Sequence, residues 1–208
     1  MRRKDQGRRK GQLAAAARSV LLERGAVGLR VKDVAKRAGL SPSSVLYYYP
    51  NLDDLLLDVS RDAMSRYAER RGEAVRAIDD PVRRLRLAIS LGVPTGPDDE
   101  ESRLLYEIDA LTGSSPLFAT LSANFFDRQA MLYERILIQG ADAGLFALRG
   151  EPETLARGLV ALEDGLGLQV VLGHPGIDGA AAERILIEWA GAATGVALAE
   201  LEPARAPG

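Results

Sequence analysis

Residues 31–50, VKDVAKRAGLSPSSVLYYYP, read as two short helices joined by a glycine turn, and this stretch restricts the fold more than any other. Val31, Val34, Ala35 and Ala38 recur at helical spacing and give a first helix one apolar face, while Lys32, Lys36 and Arg37 lie off it. Gly39 is placed to end that helix in the left-handed region, where a side chain is costly. Ser41 is placed to cap a second helix by accepting from a backbone N–H near Ser43 or Ser44, and Pro42 suits its first position, where a missing donor costs nothing. Two helices joined by a three- or four-residue turn match a helix-turn-helix, whose second helix enters the major groove by its N-terminal end. Ser43 and Ser44 would then face base edges, and Tyr47 and Tyr48 would reach phosphates with their hydroxyls. An ordinary helical hairpin with solvated lysines is the competing reading.

Net charge over all 208 residues is only −2, so the distribution along the chain carries the information. Residues 1–50 hold 12 basic and 3 acidic side chains, a net +9, whereas residues 51–208 hold 15 and 26, a net −11. A basic head suits phosphate contacts, which release counterions, and an acidic body confines those contacts to the head. A hydrophobic content of 47% is enough for a core, and the lack of cysteine removes disulfides and thiolate chemistry. No secretory pattern precedes the first helix and no run of about 18 apolar residues is present, so a cytoplasmic protein off the membrane is expected.

The remaining pattern is helical throughout. A helix over Leu13–Gly25, with Leu13, Ala17, Val20 and Leu21 inward, would support the motif. Beyond Pro50 and Asn51 a helix over Leu52–Arg71 turns Leu55, Leu56, Val59 and Met64 inward. Punctuation by Gly and Pro separates further helices at Pro81–Leu91, Glu100–Leu111, Pro116–Ala143, Pro152–Leu172 and Gly179–Leu201, nine in all, followed by a frayed tail EPARAPG. No strand pattern occurs, so the fold class is all-α, with a head at 1–50 and a body at 51–208.

Between Leu159 and Leu172 only Glu163, Asp164 and Gln169 are polar, so this helix is expected to be buried all round, and the missing polar stripe suggests a partner surface. The last helix agrees, with a stripe of Ile185, Trp189, Ala192 and Val196 and small residues Gly191, Ala193 and Gly195 for close approach. Together with Leu166 and Val170 these form a candidate four-helix interface of a homodimer, which would also supply two reading heads for a pseudo-palindromic site.

These residues resemble the tetracycline-repressor (TetR) family of bacterial transcriptional regulators. The likeness covers roughly Leu13–Leu56, through Gly25, Val34-Ala35, Ala38-Gly39-Leu40-Ser41 and the cluster Tyr47-Tyr48-Tyr49-Pro50 before Leu55. It implies a nine-helix fold, a three-helix DNA-binding head, and a C-terminal domain that dimerises through its last two helices and holds a small-molecule pocket. Three positions depart from the family pattern. Arg30 replaces a capping Thr or Ser and cannot accept the capping bond, though it can reach a phosphate; Leu46 replaces the first Tyr of the cluster; Leu52 replaces a phosphate-binding Lys. The arm Arg2, Arg3, Lys4, Arg8, Arg9 and Lys10 is placed to compensate along the backbone or in the minor groove, with a solvated disordered tail as the competing reading.

The resemblance also implies an effector that shifts the spacing of the two heads. Candidate pocket groups are Tyr106, Asp109, Phe125, Phe126, Gln129, Tyr133, Glu163 and Gln169. Core packing competes for the aromatics. A carboxylate on an apolar helix is costly unless paired, so Asp109 and Glu163 suggest a cationic or hydroxylated ligand, with a dimer salt bridge or a solvated rim as alternatives. The single histidine, His174 in a Gly-His-Pro loop, suits a loop or cap role. No nucleophile elbow, phosphate loop or metal-ligand spacing is present, so no catalytic residue, cofactor or metal is assigned. The reading is a ligand-responsive DNA-binding regulator, most simply a repressor. A non-enzymatic adaptor using the helix-turn-helix for protein contacts is the rival, but it has no need of a +9 head.

Overall fold

The computed structural model describes residues 2–198, with side chains from residue 6 onward. Its helices are α1 (Arg2–Arg24), α2 (Val31–Ala38), α3 (Pro42–Tyr48), α4 (Leu52–Arg76), α5 (Pro81–Gly92), α6 (Glu100–Asp109), α7 (Pro116–Asp142), α8 (Pro152–Val171) and α9 (Gly179–Thr194). No strand occurs among the described residues. Two compact units result: residues 1–65 with 103–122, and residues 66–102 with 123–208.

In the first unit the apolar face expected of α1 is buried at Leu13, Ala17, Val20 and Leu21, with α1 packed on α2 and α3; Val34 and Ala35 of α2, Val45 of α3 and Leu55, Leu56 and Val59 of α4 are buried as well. Gly25 and Gly39 take positive φ (76° and 67°), which explains a glycine at the end of each of the first two helices. Pairing Gly39 with the left-handed cap lets its N–H reach back to Lys36, while Leu40 N–H reaches Ala35.

One expectation is corrected here. The first helix begins at Arg2 rather than Leu13, so the basic arm continues α1 as helix instead of forming an irregular tail. Arg, Lys and Gln are good helix formers, and Gly7 and Gly11 cost only about 1 kcal/mol each relative to Ala. Arg9 donates to Gln12 at 2.8 Å, and Gln12 donates to the Ala38 carbonyl at 3.0 Å, which ties this extension to the end of α2. The side chains of Arg2, Arg3 and Lys4, and the expected helix end at Leu201 with its tail, lie outside the described residues.

The second unit is built on Leu85, Leu87 and Ile89 of α5, Tyr133, Ile136 and Leu137 of α7, Leu159, Val160, Leu166 and Val170 of α8, and Leu186 and Ala190 of α9. Arg86 and Ser90 both donate to Glu183, joining α5 to α9. Burial alone would raise the Glu183 pKa, but the hydrogen bonds from Ser90 and Arg86 outweigh it and hold the carboxyl below its ordinary value. The segment after α7 returns along the end of α9, with Ala147 N–H on Thr194 O at 2.8 Å and Arg149 N–H on Ala193 O at 2.9 Å.

Helix α8 departs from the expectation of burial all round. Ala156, Leu159, Val160, Glu163, Leu166, Gly167 and Val170 face inward, while Ala161, Gly165, Leu168 and Leu172 are exposed. Its outward side thus carries an uncovered apolar stripe at Ala161, Gly165 and Leu168, beside the exposed charges Arg157 and Asp164.

Candidate functional site

Helix α3 is short, and its N-terminal turn is organised by one hydroxyl. Ser41 Oγ accepts from the Ser44 N–H at 3.2 Å and lies 2.9 Å and 2.8 Å from the hydroxyls of Ser43 and Ser44. Pro42 follows at the first helical position. Val45 and Tyr49 point inward, which turns Ser43, Leu46 and Tyr47 to solvent on the opposite face. Ser44 and Tyr48 are half-buried at the margin of that face. Tyr47 is 70% exposed and meets Tyr48 edge-on, with ring centroids 5.1 Å apart. Tyr49 is turned away from this surface: its hydroxyl donates to Asp58 at 3.0 Å, and Lys10 lies over its ring at 4.6 Å.

Arg30 offers no side-chain cap to α2, as expected, but the helix start is not left open. Asp33, at the third helical position, accepts the Arg30 N–H at 3.2 Å and pairs with Arg24 at 2.7 Å. Asp33 thus supplies the reverse half of a capping box, satisfying the Arg30 N–H, and its carboxylate meets the positive end of the helix dipole. Arg30 and Lys32 are exposed.

The first unit contains a clasp that the sequence pattern does not indicate. Glu107 of α6 accepts the Ala26 N–H at 2.7 Å, and Arg103 donates to the Leu22 carbonyl at 3.0 Å. Both bonds satisfy backbone groups at the C-terminal end of α1 that the helix itself cannot. A Cβ at Gly25 would lie 3.2 Å from Glu107 Oε2, so the carboxylate packs directly on this glycine.

In the second unit three of the candidate pocket groups, Gln129, Tyr133 and Glu163, come together around a residue the sequence reading missed, Arg71 of α4. Its guanidinium holds Glu163 in a two-armed pair at 2.8 and 2.7 Å and donates to Gln129 Oε1 at 2.8 Å, to the Ala88 carbonyl at 2.7 Å and to the Tyr133 hydroxyl at 2.8 Å. Tyr133 in turn donates to Glu163 Oε2 at 2.6 Å. The guanidinium carbon sits 5.1 Å from the Tyr133 ring centroid and 5.9 Å from that of Tyr67. All four polar residues are buried, and Arg71 Nε has no partner. Burial opposes the arginine charge, but the Glu163 carboxylate outweighs it and raises the guanidinium pKa further. Burial first, and then the charge of Glu163, push the Tyr133 phenol well above its ordinary value, so it stays a donor.

The pairing of Glu163 answers the question its sequence position raised. Its partner within the chain is Arg71. The other candidates are placed differently. Phe126 is partly buried against the core of the second unit and Gln169 is half-buried on α8. Tyr106 and Asp109 belong to the first unit, where Tyr106 is half-buried and Asp109, at the surface, accepts from Ser122 at 2.7 Å. Phe125 packs edge-on against Tyr67, 5.7 Å between centroids. His174 Nδ1 accepts the Gly176 N–H at 3.1 Å, a loop role.

Of the candidate interface residues, Ile185, Trp189 and Ala192 are exposed and Val196 is half-buried. Leu166 and Val170 lie in the protomer's own core, so the outward stripe of α8 passes through Leu168 and Leu172 instead, two residues along. Trp189 also covers Gly158, where a Cβ would come within 3.1 Å of the indole, so glycine there sets the spacing of α8 and α9.

Comparison with known proteins agrees with this architecture. Residues 13–59 match the family model for bacterial regulatory proteins of the tetR family, and residues 81–194 match that for the C-terminal domain of BetI-type transcriptional repressors. The HTH-type transcriptional regulator PksA of Bacillus subtilis (strain 168) is 27% identical over 189 residues, 88% of this chain and 89% of that protein. A transcriptional regulator of Saccharomonospora viridis, solved in complex with choline, superposes with a TM-score of 0.79 at 25% identity over 86% of this chain and 94% of that one. A transcriptional regulator of Rhodococcus sp. RHA1 gives 0.76 at 26% identity, covering 88% and 95%. The matched families are regulators and not enzymes.

Proposed function

The chain belongs to the TetR family of bacterial regulatory proteins, with a BetI-type C-terminal domain, and is a DNA-binding transcriptional regulator; on that footing we propose that it is a homodimeric repressor, released from a pseudo-palindromic operator by a small molecule. Residues 1–50 bind DNA and residues 51–208 hold the effector and the dimer contact. The observation that carries the DNA reading is the capped start of α3, with Ser43 and Tyr47 on one exposed face. Ser43 and Ser44 lie nearest the bases, Tyr47, Tyr48, Arg30 and Lys32 hold phosphates, and Ser41 with Pro42 fixes the helix start that enters the groove. The uncovered apolar surface of Leu168, Leu172, Ile185, Trp189 and Ala192 supports a two-fold contact between copies. The adaptor reading has no comparable support.

The effector is placed at Arg71, Gln129, Tyr133 and Glu163, a polar set shut off from water inside an apolar core, where a ligand that exchanges partners changes a stiff network. We place the protein in the cytoplasm; no helix among the described residues is long and apolar enough to cross a membrane.

The test is an electrophoretic mobility shift with the DNA flanking this protein's own gene, against a scrambled duplex, across a salt series. Selective binding of two chains per site, weakening steeply with salt, is expected. Tyr48→Phe lowers affinity for all operator variants alike, whereas Ser44→Ala changes base preference by roughly 1 to 3 kcal/mol at one base pair. Equal loss for both substitutions across variants contradicts the assignment.

A further inference from the structure

We propose that Arg71 is a built-in occupant of a cation cage, so that the intact protein shuts out organic cations of the quaternary-ammonium class and Arg71 decides which class of effector the site accepts. The inference rests on the placing of the effector site at this cluster. Two aromatic rings, a carboxylate and two carbonyl-type oxygens, from Tyr67, Tyr133, Glu163, Ala88 and Gln129, converge on one point. That donor set is the one that recognises ammonium and guanidinium ligands, through ring quadrupoles and a desolvated negative charge. Here the charge at its centre is covalently attached through α4.

The side chain takes up the charge of the cage and lies within reach of both rings. Glu163 spends both oxygens on Arg71, and Tyr133 takes a further bond to one of them. The pair sums to zero, so a second cation entering the cage meets a spent carboxylate and a like charge a few ångströms away. The wall formed by α5 is equally tight: a Cβ on Gly92 would lie 2.1 Å from Glu163 Oε2 and 2.5 Å from Arg71 Nη2. Only backbone without a side chain fits beside the pair. Shortening Arg71 therefore vacates a lined cage holding a carboxylate without its counter-charge, the feature an organic cation would pair with.

The experiment is thermal unfolding of the full-length protein, as wild type, Arg71→Ala and Arg71→Ala/Glu163→Gln, with choline chloride or methylguanidinium chloride against sodium chloride at matched ionic strength. The wild type is expected to respond to the organic cations no more than to sodium. Arg71→Ala is expected to gain roughly 3 to 6 °C at about ten times the dissociation constant, rising further with the logarithm of concentration, and the double variant to gain nothing. If Arg71→Ala does not fold alone, its refolding is followed by dialysis into each salt. Recovery only with the organic cations supports the cage, and no recovery while the double variant folds overturns it. Stabilisation of the wild type by choline beyond that by sodium also overturns it. In that event Glu163→Gln separates the causes: if it abolishes the choline response, the effector site stands and only the exclusion by Arg71 fails. If the response persists, the effector binds elsewhere and the site assignment itself falls.

Discussion

The hydroxyl cluster of α3 and the charged cluster around Arg71 are both hydrogen-bond networks, but one stands in water and the other in a dry core. Around Ser41, each donor that loses its partner can turn to solvent, so the network organises a surface at low energetic risk. Around Arg71 no such substitute is available, and every bond is compulsory. On the proposed reading, the surface that would meet changing base sequences is the tolerant one, and the interior that would register a ligand is the intolerant one. A small change of partner in the interior is therefore energetically conspicuous, which is what a sensor requires.

The sharpest way to break this contrast is Glu163→Ala. Leaving the Arg71 charge buried and unpaired should cost about 3 to 5 kcal/mol in urea unfolding, and adding Arg71→Met should recover most of it. A loss no larger than that of a surface substitution would mean the cluster is not sealed from water. Ser41→Ala should cost about 1 kcal/mol, the usual value of a helix cap, while lowering operator affinity, because the groove-entering turn loses its organising oxygen. If its cost rivals that of Glu163→Ala, the two clusters do not differ as argued.

The smallest effect is the pH dependence of the Glu183 contact, which sits between these extremes in burial. Its folded pKa lies below the ordinary 4.5, so its stabilising contribution is complete above that value and disappears as pH falls through the folded pKa. Thermal midpoints of wild type and Glu183→Gln should therefore differ most above pH 5 and converge in the acid limb. A constant difference down to pH 3 contradicts the pairing.

What was legible in the sequence follows the same division. Val34, Gly39, Ser41 and Pro42 act within a few residues of one another, and local spacing was enough to place α2 and α3 and their turn. Glu163 was recognisable as a carboxylate needing a partner, but the partner is 92 positions earlier on a helix crowded with Arg and Glu. Nothing in that local pattern separates an inward Arg71 from the outward arginines on either side. The start of α1 was missed for another reason: two glycines and clustered charge resemble a tail until Gln12 is seen binding α2. On α8 the composition was apolar on every side, so it identified an uncovered face without indicating that Leu168 rather than Leu166 occupies it.

The clasp of Glu107 and Arg103 on the end of α1 bears on the order in which the chain can be completed at the ribosome. The residues that finish the head are made roughly 40 positions after Ser65, about 2 to 8 s later at ordinary rates of synthesis. Until then the Ala26 amide and the Leu22 carbonyl lack these two partners. Ending translation at residue 65 would thus yield a fragment that carries the whole helix-turn-helix yet lacks the fastening at its back.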